Sequence, residues 1–272
     1  MPIGYHIPFE GFNNTLVTAI NLGLPTYQMF IRNNRNLKMR SFSQEDYDRF
    51  NALLPNSGID KIVVHASYAM NPCSGDEGKR SNAISIIKKD LQVLQPLSGN
   101  KYYVLHPGCH TEYSRQDCIR NLIQTIKEVT PYAKGTKFCV ETMAGEGTEL
   151  MSSVNELLLL CFMLNDVDCF GLCLDTCHLF GAGIDAIDLL NKLKQCGYLD
   201  KIGVIHVNGS KKPFGSRLDN HGSLQRGYLS LEDNIKFLNA LKREGLNLPC
   251  ILESEESAML SDWLALTSRV NF

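Results

Sequence analysis

Side chains that commonly bind divalent metal ions stand directly after apolar runs at six points of the sequence. They are His65, His106, Glu141, Asp175, His206 and Glu253, with His178 three residues beyond Asp175 and with Asp219 and His221 further along the chain. One such histidine alone is more often a hydrogen-bonded structural residue. Polar groups buried without partners cost roughly 2–7 kcal/mol each, so a whole set of them needs a compensating partner. Neutral imidazole and carboxylate suit Zn²⁺, with Mn²⁺ or iron as alternatives, and the set therefore predicts a metal site.

Two further histidines lie near these runs without belonging to the set. His6 is part of the first apolar run, and His110 follows Cys109 in a loop. We expect neither of them to bind metal.

The apolar runs themselves alternate with amphipathic stretches along the whole chain. The runs predict eight β-strands, at residues 3–7, 26–31, 61–66, 102–106, 138–142, 170–176, 202–207 and 249–254. The amphipathic stretches predict helices at residues 13–21, 43–54, 81–94, 114–131, 152–165, 186–196, 230–243 and 257–268. Several of these begin with a serine, which is a favoured N-cap residue.

Near-continuous apolar strands that alternate with helices are typical of a parallel sheet, and eight such units predict a closed (β/α)₈ TIM barrel of the α/β class. The alternative is a doubly wound open sheet, which favours a G-x-G-x-x-G turn after its first strand; Gly4 and Gly11 do not supply one. No low-complexity linker divides the chain, so we expect one domain over residues 1–272. In a TIM barrel the carboxyl ends of the strands meet at one face, where the metal site is expected.

Composition excludes several other classes of protein. The 272 residues are 44% hydrophobic and 21% charged, which is ordinary for a globular protein. The longest apolar run, residues 157–164, is too short to span a bilayer, so no membrane partner is expected. Glu10, Asn13 and Asn14 stand where a secretory signal would be apolar, and we expect the protein to be intracellular and not secreted. The ten cysteines include no C-x-x-C pair and are expected to be mostly reduced thiols.

Taken in order, the strand-end motifs resemble those of the endonuclease IV family of apurinic/apyrimidinic endonucleases. The motifs are V-V-H-A-S-Y, V-L-H-P-G, C-V-E-T-M-A-G-E-G, L-D-T-C-H-L-F-G-A-G-I-D and I-H-V-N-G-S-K-K-P-F-G-S-R-L-D-N-H. The resemblance extends from the first strand to I-L-E-S near the end of the chain. H-P-G alone is a weak signal, whereas D-T-C-H followed by H-x-N and G-S-R-x-D-x-H is highly specific.

The resemblance implies a site for three zinc ions, with Mn²⁺ possible at one of them. The first ion would be bound by His65, His106 and the bridging Glu141, the second by Glu141, Asp175, His206 and Glu253, and the third by His178, Asp219 and His221. It also implies hydrolysis of the phosphodiester 5' to an abasic site, leaving a 3'-hydroxyl and a 5'-deoxyribose phosphate, with trimming of blocked 3' ends as a second activity. Glu141 and Glu253 would be the catalytic residues.

The implied partner is double-stranded DNA that contains an abasic site, bound by a monomer. Arg35 and Tyr68 match the positions that the family inserts into the base stack. The sequence departs from the bacterial pattern at three positions: Ala69 replaces a leucine, Gly209 an aspartate and Gly222 a second histidine. None of these three positions is among the nine predicted ligands.

A formal net charge of −2 does not favour DNA binding by itself. Three divalent ions would bring the net charge to about +4, concentrated at one pole of the barrel. Basic residues that follow the second and seventh predicted strands are expected to flank that pole: Arg32, Arg35, Lys38 and Arg40, and Lys211, Lys212 and Arg217.

Two other functions are compatible with parts of the pattern. Sugar isomerases and epimerases of the same barrel superfamily bind a divalent ion through the set present here as Glu141, Asp175, His206 and Glu253. They have no need of the remaining five predicted ligands. A DNA-binding protein that had lost catalysis would be expected to lack ligands, and all nine positions hold the expected residue type.

Overall fold

Eight parallel strands close into a barrel in the computed structural model, which describes residues 1–270. The barrel strands are β1 Ile3–His6, β2 Thr26–Met29, β3 Lys61–His65, β4 Asn100–Leu105, β5 Thr136–Glu141, β6 Phe170–Asp175, β7 Ile202–His206 and β10 Cys250–Leu252. Around the barrel they follow the order β1-β10-β7-β6-β5-β4-β3-β2. Two short strands, β8 Gly209–Ser210 and β9 His221–Gly222, pair as an antiparallel hairpin beyond β7. The predicted (β/α)₈ TIM barrel is confirmed.

Nine α-helices within residues 1–270 connect these strands. They are α1 Phe12–Asn21, α2 Gln44–Leu53, α3 Glu77–Leu94, α4 Arg115–Val129, α5 Val154–Met163, α6 Thr176–Ala182, α7 Ala186–Gln195, α8 Leu231–Arg243 and α9 Glu256–Thr267. Serine hydroxyls cap α2, α4, α5 and α8, each accepting a hydrogen bond from the backbone amide three residues on. Within the described residues, none of these helices has the length and apolar character of a bilayer span.

Several predicted element boundaries are wrong. Helix α3 begins at Glu77 rather than at residue 81, because the Asp76 side chain caps it by accepting a hydrogen bond from the Lys79 amide. Thr176 belongs to α6 and not to the sixth strand, and α6 itself was not predicted. Strand β4 begins at Asn100, two residues before the predicted start.

A layer of small apolar side chains fills the interior of the barrel. It consists of Val63, Val104, Cys139, Cys173, Val204 and Ile251, all essentially inaccessible to solvent. Because side chains alternate across a strand, the next inward position lies two residues further toward the carboxyl end. On these six strands that position is occupied by His65, His106, Glu141, Asp175, His206 and Glu253. The alternation of the strands therefore aims all six predicted ligands at one mouth of the barrel.

The first and last strands close the barrel by pairing with each other. Ile3 pairs with Cys250 and Gly4 with Ile251, and the indole nitrogen of Trp263 in α9 donates a hydrogen bond to the Ile3 carbonyl at 2.8 Å. On its other edge β1 pairs with β2, and glycine is required at position 4 because a Cβ atom there would lie 1.8 Å from the Thr26 carbonyl oxygen.

Candidate metal centre

The nine predicted ligands meet at the mouth of the barrel. Six follow the interior layer at the carboxyl ends of the strands, His178 lies in the first turn of α6, and Asp219 and His221 lie at the β8–β9 hairpin. Several groups of three donor residues stand close enough to share a cation, among them His65 with His106 and Glu141, and His178 with Asp219 and His221. These two groups are the ligand sets expected for the first and third ions.

Glu141 is the buried centre of the cluster. Its Oε2 atom lies 3.1 Å from His65 Nε2 and 3.2 Å from His106 Nε2. Its Oε1 atom lies 3.0 Å from His206 Nδ1 and 3.3 Å from His178 Nδ1. The two oxygens thus face different sets of imidazole nitrogens, which is the geometry expected of a bridging carboxylate.

The ligands expected for the second ion surround His206. The Nδ1 atom of His206 lies 3.2 Å from Glu253 Oε2 and 3.7 Å from Asp175 Oδ2, in addition to its contact with Glu141. Three carboxylates therefore converge on one ring nitrogen in a buried site. Carboxylates crowded in this way repel one another unless a cation lies among them.

On the other side of the cluster, Asp219 stands between two histidines. His178 Nε2 lies 3.2 Å from Asp219 Oδ2, and His221 Nε2 lies 3.3 Å from Asp219 Oδ1. His221 Nε2 is also 3.6 Å from Asp175 Oδ2. Both Nε2 atoms are buried, and neither makes a hydrogen bond of acceptable geometry to any described residue.

The hydrogen bonds on the far sides of the rings assign the histidine tautomers. His65 Nδ1 lies 2.7 Å from the Ala66 carbonyl oxygen, and His178 Nδ1 lies 2.7 Å from the Thr142 carbonyl oxygen. Because a carbonyl oxygen only accepts, each Nδ1 carries a hydrogen, and the Nε2 atom on the opposite side of the ring faces the carboxylates. In a neutral ring this Nε2 atom would be free to bind a cation that it shares with the carboxylates, so the donor set fits divalent cations.

The charges of the cluster are strongly coupled when no cation is present. Burial opposes charge on every group, but the facing carboxylates outweigh it and raise the pKa of His206 to about 9 and the pKa of His178 well above its ordinary value. Burial also raises the pKa of two of the carboxyl groups, but nearby imidazoles outweigh it. His206 lowers the pKa of Glu253 to about 2, and His178 lowers the pKa of Asp219 to about 2. The imidazoles thus take the place of cations when metal is absent.

Two polar residues that sequence reasoning missed support the ligands from behind. Gln28 on β2 donates from Nε2 to Glu253 Oε1 at 2.6 Å and accepts at Oε1 from His206 Nε2 at 2.9 Å. Asn208 donates from Nδ2 to Asp175 Oδ2 at 2.6 Å and accepts at Oδ1 from the Glu253 amide at 2.8 Å. The signal for Gln28 was its place as a polar residue two positions beyond the inward-facing Thr26.

The two glycines that depart from the bacterial pattern face each other in the β8–β9 hairpin. Gly209 pairs with Gly222, and the next pair, Ser210 with His221, holds a predicted ligand. A Cβ atom at Gly209 would lie 2.6 Å from the Ser223 carbonyl oxygen and 2.9 Å from that of Gly222. The backbone approach that orients His221 therefore requires glycine at position 209 in this chain.

The two predicted DNA-inserting residues are on the same rim as the metal centre. Arg35 is exposed in the loop after β2, and the Tyr68 side chain, in the loop after β3, is 57% exposed. The Phe30 ring lies edge-on to Tyr68 with centroids 6.1 Å apart, and it also contacts the His65 ring. An exposed Tyr68 supported by Phe30 is available to a ligand that approaches the metal centre.

Not every basic residue expected to flank the site is available for phosphate. Arg32 is 7% exposed and forms a buried ion pair with Asp90, so the expectation for Arg32 is wrong. Lys211 contacts the Glu255 carboxylate. Arg35, Lys38, Arg40 and Arg217 are exposed and Lys212 is half-buried.

The remaining histidines differ from the nine. The His6 ring packs on Phe30 at 4.7 Å, and burial lowers its pKa to about 4, which keeps it neutral beside the cluster. His110 Nδ1 lies 3.0 Å from the Tyr113 carbonyl oxygen, in the loop before α4. Neither of them is among the cluster contacts given above.

Comparison with known proteins places this site in a family. Residues 17–267 match the family described as xylose isomerase-like TIM barrel. The chain is 36% identical over 264 residues to the protein named "Probable endonuclease 4" of Clostridium beijerinckii, covering 93% of this chain and 92% of that protein. The chain belongs to the endonuclease IV family. It is accordingly an enzyme of a metal-dependent nuclease family.

Solved structures agree with this barrel over nearly its whole length. Endonuclease IV from Thermus thermophilus superposes with a TM-score of 0.84 at 24% identity, with 98% of each chain covered. D-psicose 3-epimerase from Clostridium cellulolyticum superposes with a TM-score of 0.72 at 16% identity, covering 99% of this chain and 98% of that one. At these identities the two likenesses concern the fold alone, so the endonuclease IV family assignment rests on the sequence relatives.

Proposed function

We propose that this endonuclease IV family member is a DNA repair enzyme that hydrolyses the phosphodiester 5' to an abasic site. The products would be a 3'-hydroxyl and a 5'-deoxyribose phosphate, and blocked 3' ends would be trimmed at the same site. The observation that carries the proposal is the convergence of nine donor residues around Glu141, with imidazole nitrogens facing carboxylate oxygens. We further propose that the protein acts as a monomer, with residues 1–272 as one catalytic domain.

We assign His65, His106 and Glu141 to the first of three divalent cations, Glu141, Asp175, His206 and Glu253 to the second, and His178, Asp219 and His221 to the third. Zn²⁺ suits this mixture of imidazole and carboxylate, with Mn²⁺ acceptable at one position. Divalent cations held there would lower the pKa of water toward about 7 and stabilise negative charge on the scissile phosphate.

Within this site Glu141 and Glu253 have different tasks. Glu141 is fully buried, so its carboxylate is suited to fixing the separation of two cations rather than to contacting DNA. The Glu253 side chain is 17% exposed, and it accepts hydrogen bonds from Gln28 at Oε1 and from Asn208 at Oε2, which orient it. From the mouth of the barrel Glu253 is placed to accept a hydrogen bond from the attacking water and to align it with the phosphorus atom.

Recognition of the abasic site is assigned to the rim. The exposed Tyr68 ring offers a surface for stacking against the gap in the duplex, and Arg35 offers a cation beside it. Because Ala69 follows Tyr68 where bacterial relatives of the pattern have leucine, the apolar part of the wedge is smaller in this chain.

The deciding test is incision of a duplex that contains one tetrahydrofuran abasic analogue. We expect the zinc-loaded protein to cut it 5' to the analogue and to leave the matched intact duplex whole. The alternative, a sugar isomerase or epimerase, uses four of the same ligands and shares the barrel. Folded, metal-loaded protein that leaves both duplexes intact but interconverts keto and aldo sugars would establish the alternative.

The bridging assignment of Glu141 predicts a clean separation of catalysis from DNA binding. The variant Glu141→Gln should lose at least about 1000-fold in kcat, because it removes charge that the cations need, while the Kd for abasic duplex changes by less than about threefold. Elemental analysis should return three metal ions per wild-type chain. The surface variant Glu128→Gln is the control. Unchanged turnover in Glu141→Gln, or one metal ion per wild-type chain, would refute the trinuclear site.

A further inference from the structure

The guanidinium group of Arg32 lies beneath the loop that presents Arg35, and it is buried with a carboxylate. Its Nε atom lies 2.5 Å from Asp90 Oδ1 on α3, with side-chain exposures of 8% and 1%. The Tyr103 hydroxyl on β4 donates to the other oxygen, Asp90 Oδ2, at 2.9 Å. Both oxygens of Asp90 are therefore engaged, and the position of Arg32 is fixed from two neighbouring elements.

The other end of the same guanidinium holds a strained residue in the loop. Arg32 Nη1 donates to the Leu37 carbonyl oxygen at 2.7 Å. Leu37 has a φ of 58°, in the left-handed region that side chains other than glycine rarely adopt. Such a conformation persists only where its surroundings enforce it. The contact from Arg32 is one constraint on Leu37, beside the hydrogen bond of its amide to Asn33 and its packing against the core.

The turn that Arg32 holds is the one that displays Arg35. Asn33 Oδ1 accepts hydrogen bonds from the amides of Arg35 at 2.8 Å and Asn36 at 3.2 Å, and the Asn33 carbonyl accepts from the Leu37 amide at 3.0 Å. Arg35 consequently stands exposed at the apex of a closed turn. Arg32 closes that turn from below.

We propose that Arg32 and Asp90 are positioning residues that hold the Arg35 loop in its DNA-binding shape before DNA arrives. This inference rests on the proposed function. A buried ion pair adds little stability compared with apolar side chains of similar size, so its distinctive contribution is a fixed geometry. If the loop is ordered before DNA binds, the loss of conformational entropy on binding is smaller. Arg32 acts through Leu37 and does not itself touch the phosphates.

The test replaces the pair without leaving a buried unpaired charge. In Arg32→Met/Asp90→Asn the methionine follows the arginine stem and the asparagine still accepts from Tyr103. Hydrogen exchange of the Leu37 and Arg40 amides in the DNA-free protein should accelerate by about tenfold or more. The KM for the abasic duplex should rise about tenfold while kcat stays within about twofold, because only binding geometry has changed.

A matched control lies on the same helix. Lys88 on α3 pairs with Glu128 on α4 at 2.7 Å, away from the loop, and Lys88→Met/Glu128→Gln should change neither exchange nor KM. Arg32→Lys keeps a charge beside Asp90 but lacks the planar fork that also reaches Leu37, so it should accelerate Leu37 exchange with Tm unchanged. The Arg32→Lys variant tests the proposal by itself if the double variant fails to fold.

Unaltered exchange at Leu37 and Arg40 in both variants would overturn the positioning role, as would a lower Tm with exchange and KM both unaffected. The exchange measurement needs no DNA. If wild-type protein fails to incise abasic duplex while the variants still loosen the loop, the proposed function is wrong and the anchoring by Arg32 and Asp90 stands.

Discussion

Asp175 uses its two carboxylate oxygens for different tasks. Oδ1 accepts a hydrogen bond from the His178 amide at 2.8 Å and caps α6, whereas Oδ2 accepts from Asn208 and faces His206 and His221. The cap fixes the side-chain rotamer and also sets the start of the helix that carries His178. One residue therefore places two of the nine predicted ligands, which explains why the spacing D-T-C-H is so specific.

The coupled charges of the cluster predict an unusual dependence of stability on pH in the metal-free protein. The pKa of His206 is raised to about 9, so its contribution is complete below about 6.5 and is lost as the pH rises through 9. The pKa of Glu253 is lowered to about 2, so its contribution is complete above about 4.5 and is lost as the pH falls through 2. The Tm measured in chelator should therefore be highest near pH 5–6 and should fall toward pH 9.

Added zinc should reverse this trend above neutral pH, because metal binding requires neutral imidazole and releases protons. His206→Gln should weaken the alkaline fall in Tm of the chelated protein. A chelated wild-type protein that is as stable at pH 9 as at pH 6 would show that the imidazoles do not stand in for cations.

At the scale of the elements, the close approach of β1 to β2 tolerates no side chain at position 4. Gly4→Ala should lower the free energy of unfolding by at least about 3 kcal/mol or prevent folding, since a Cβ atom there would lie 1.8 Å from the Thr26 carbonyl. Urea denaturation measures the change. The control is Gly78→Ala in the first turn of α3, where Asp76 Oδ1 is the nearest atom, at 3.3 Å. That variant should be neutral or stabilise by up to about 1 kcal/mol. A Gly4→Ala protein as stable as wild type would contradict the close approach of these strands.

The sequence predicted the strands and the ligand positions for one physical reason. Each barrel strand is a buried apolar run, and polar residues such as His65 and Glu141 mark the point where its interior layer ends. Features that depend on contacts between distant segments were not predictable. Two contacts join residues that are far apart in the chain, Gln28 with Glu253 and Arg32 with Asp90. No local sequence pattern predicts either contact. Helix α6 was missed because it follows β6 without a turn.

At the scale of the whole molecule, the ten cysteines belong to the packing of the barrel. All lie in the described part of the chain and all are unpaired, as expected. Cys139 and Cys173 are part of the interior layer, and burial raises the pKa of Cys139 and of Cys250 to about 12. A thiol with so high a pKa is a poor nucleophile and behaves as a small apolar side chain.

Thiol titration of the native protein should therefore be selective. Only Cys196 is classed as exposed among the ten, so a water-soluble disulfide reagent should modify one thiol rapidly, and Cys196→Ser should abolish that fast phase. The seven buried thiols should react only after denaturation. Rapid modification of several thiols in Cys196→Ser would mean that the barrel interior opens to solvent.

The pairing of β1 with β10 has a consequence for how the protein is made. Glu253 directly follows β10, and β10 joins the barrel by pairing with β1. During synthesis on the ribosome, the nine donor residues therefore cannot come together until β10 and Glu253 have emerged. Polypeptides truncated before Cys250 would lack both the strand that closes the barrel and Glu253, so they could not form the complete donor cluster.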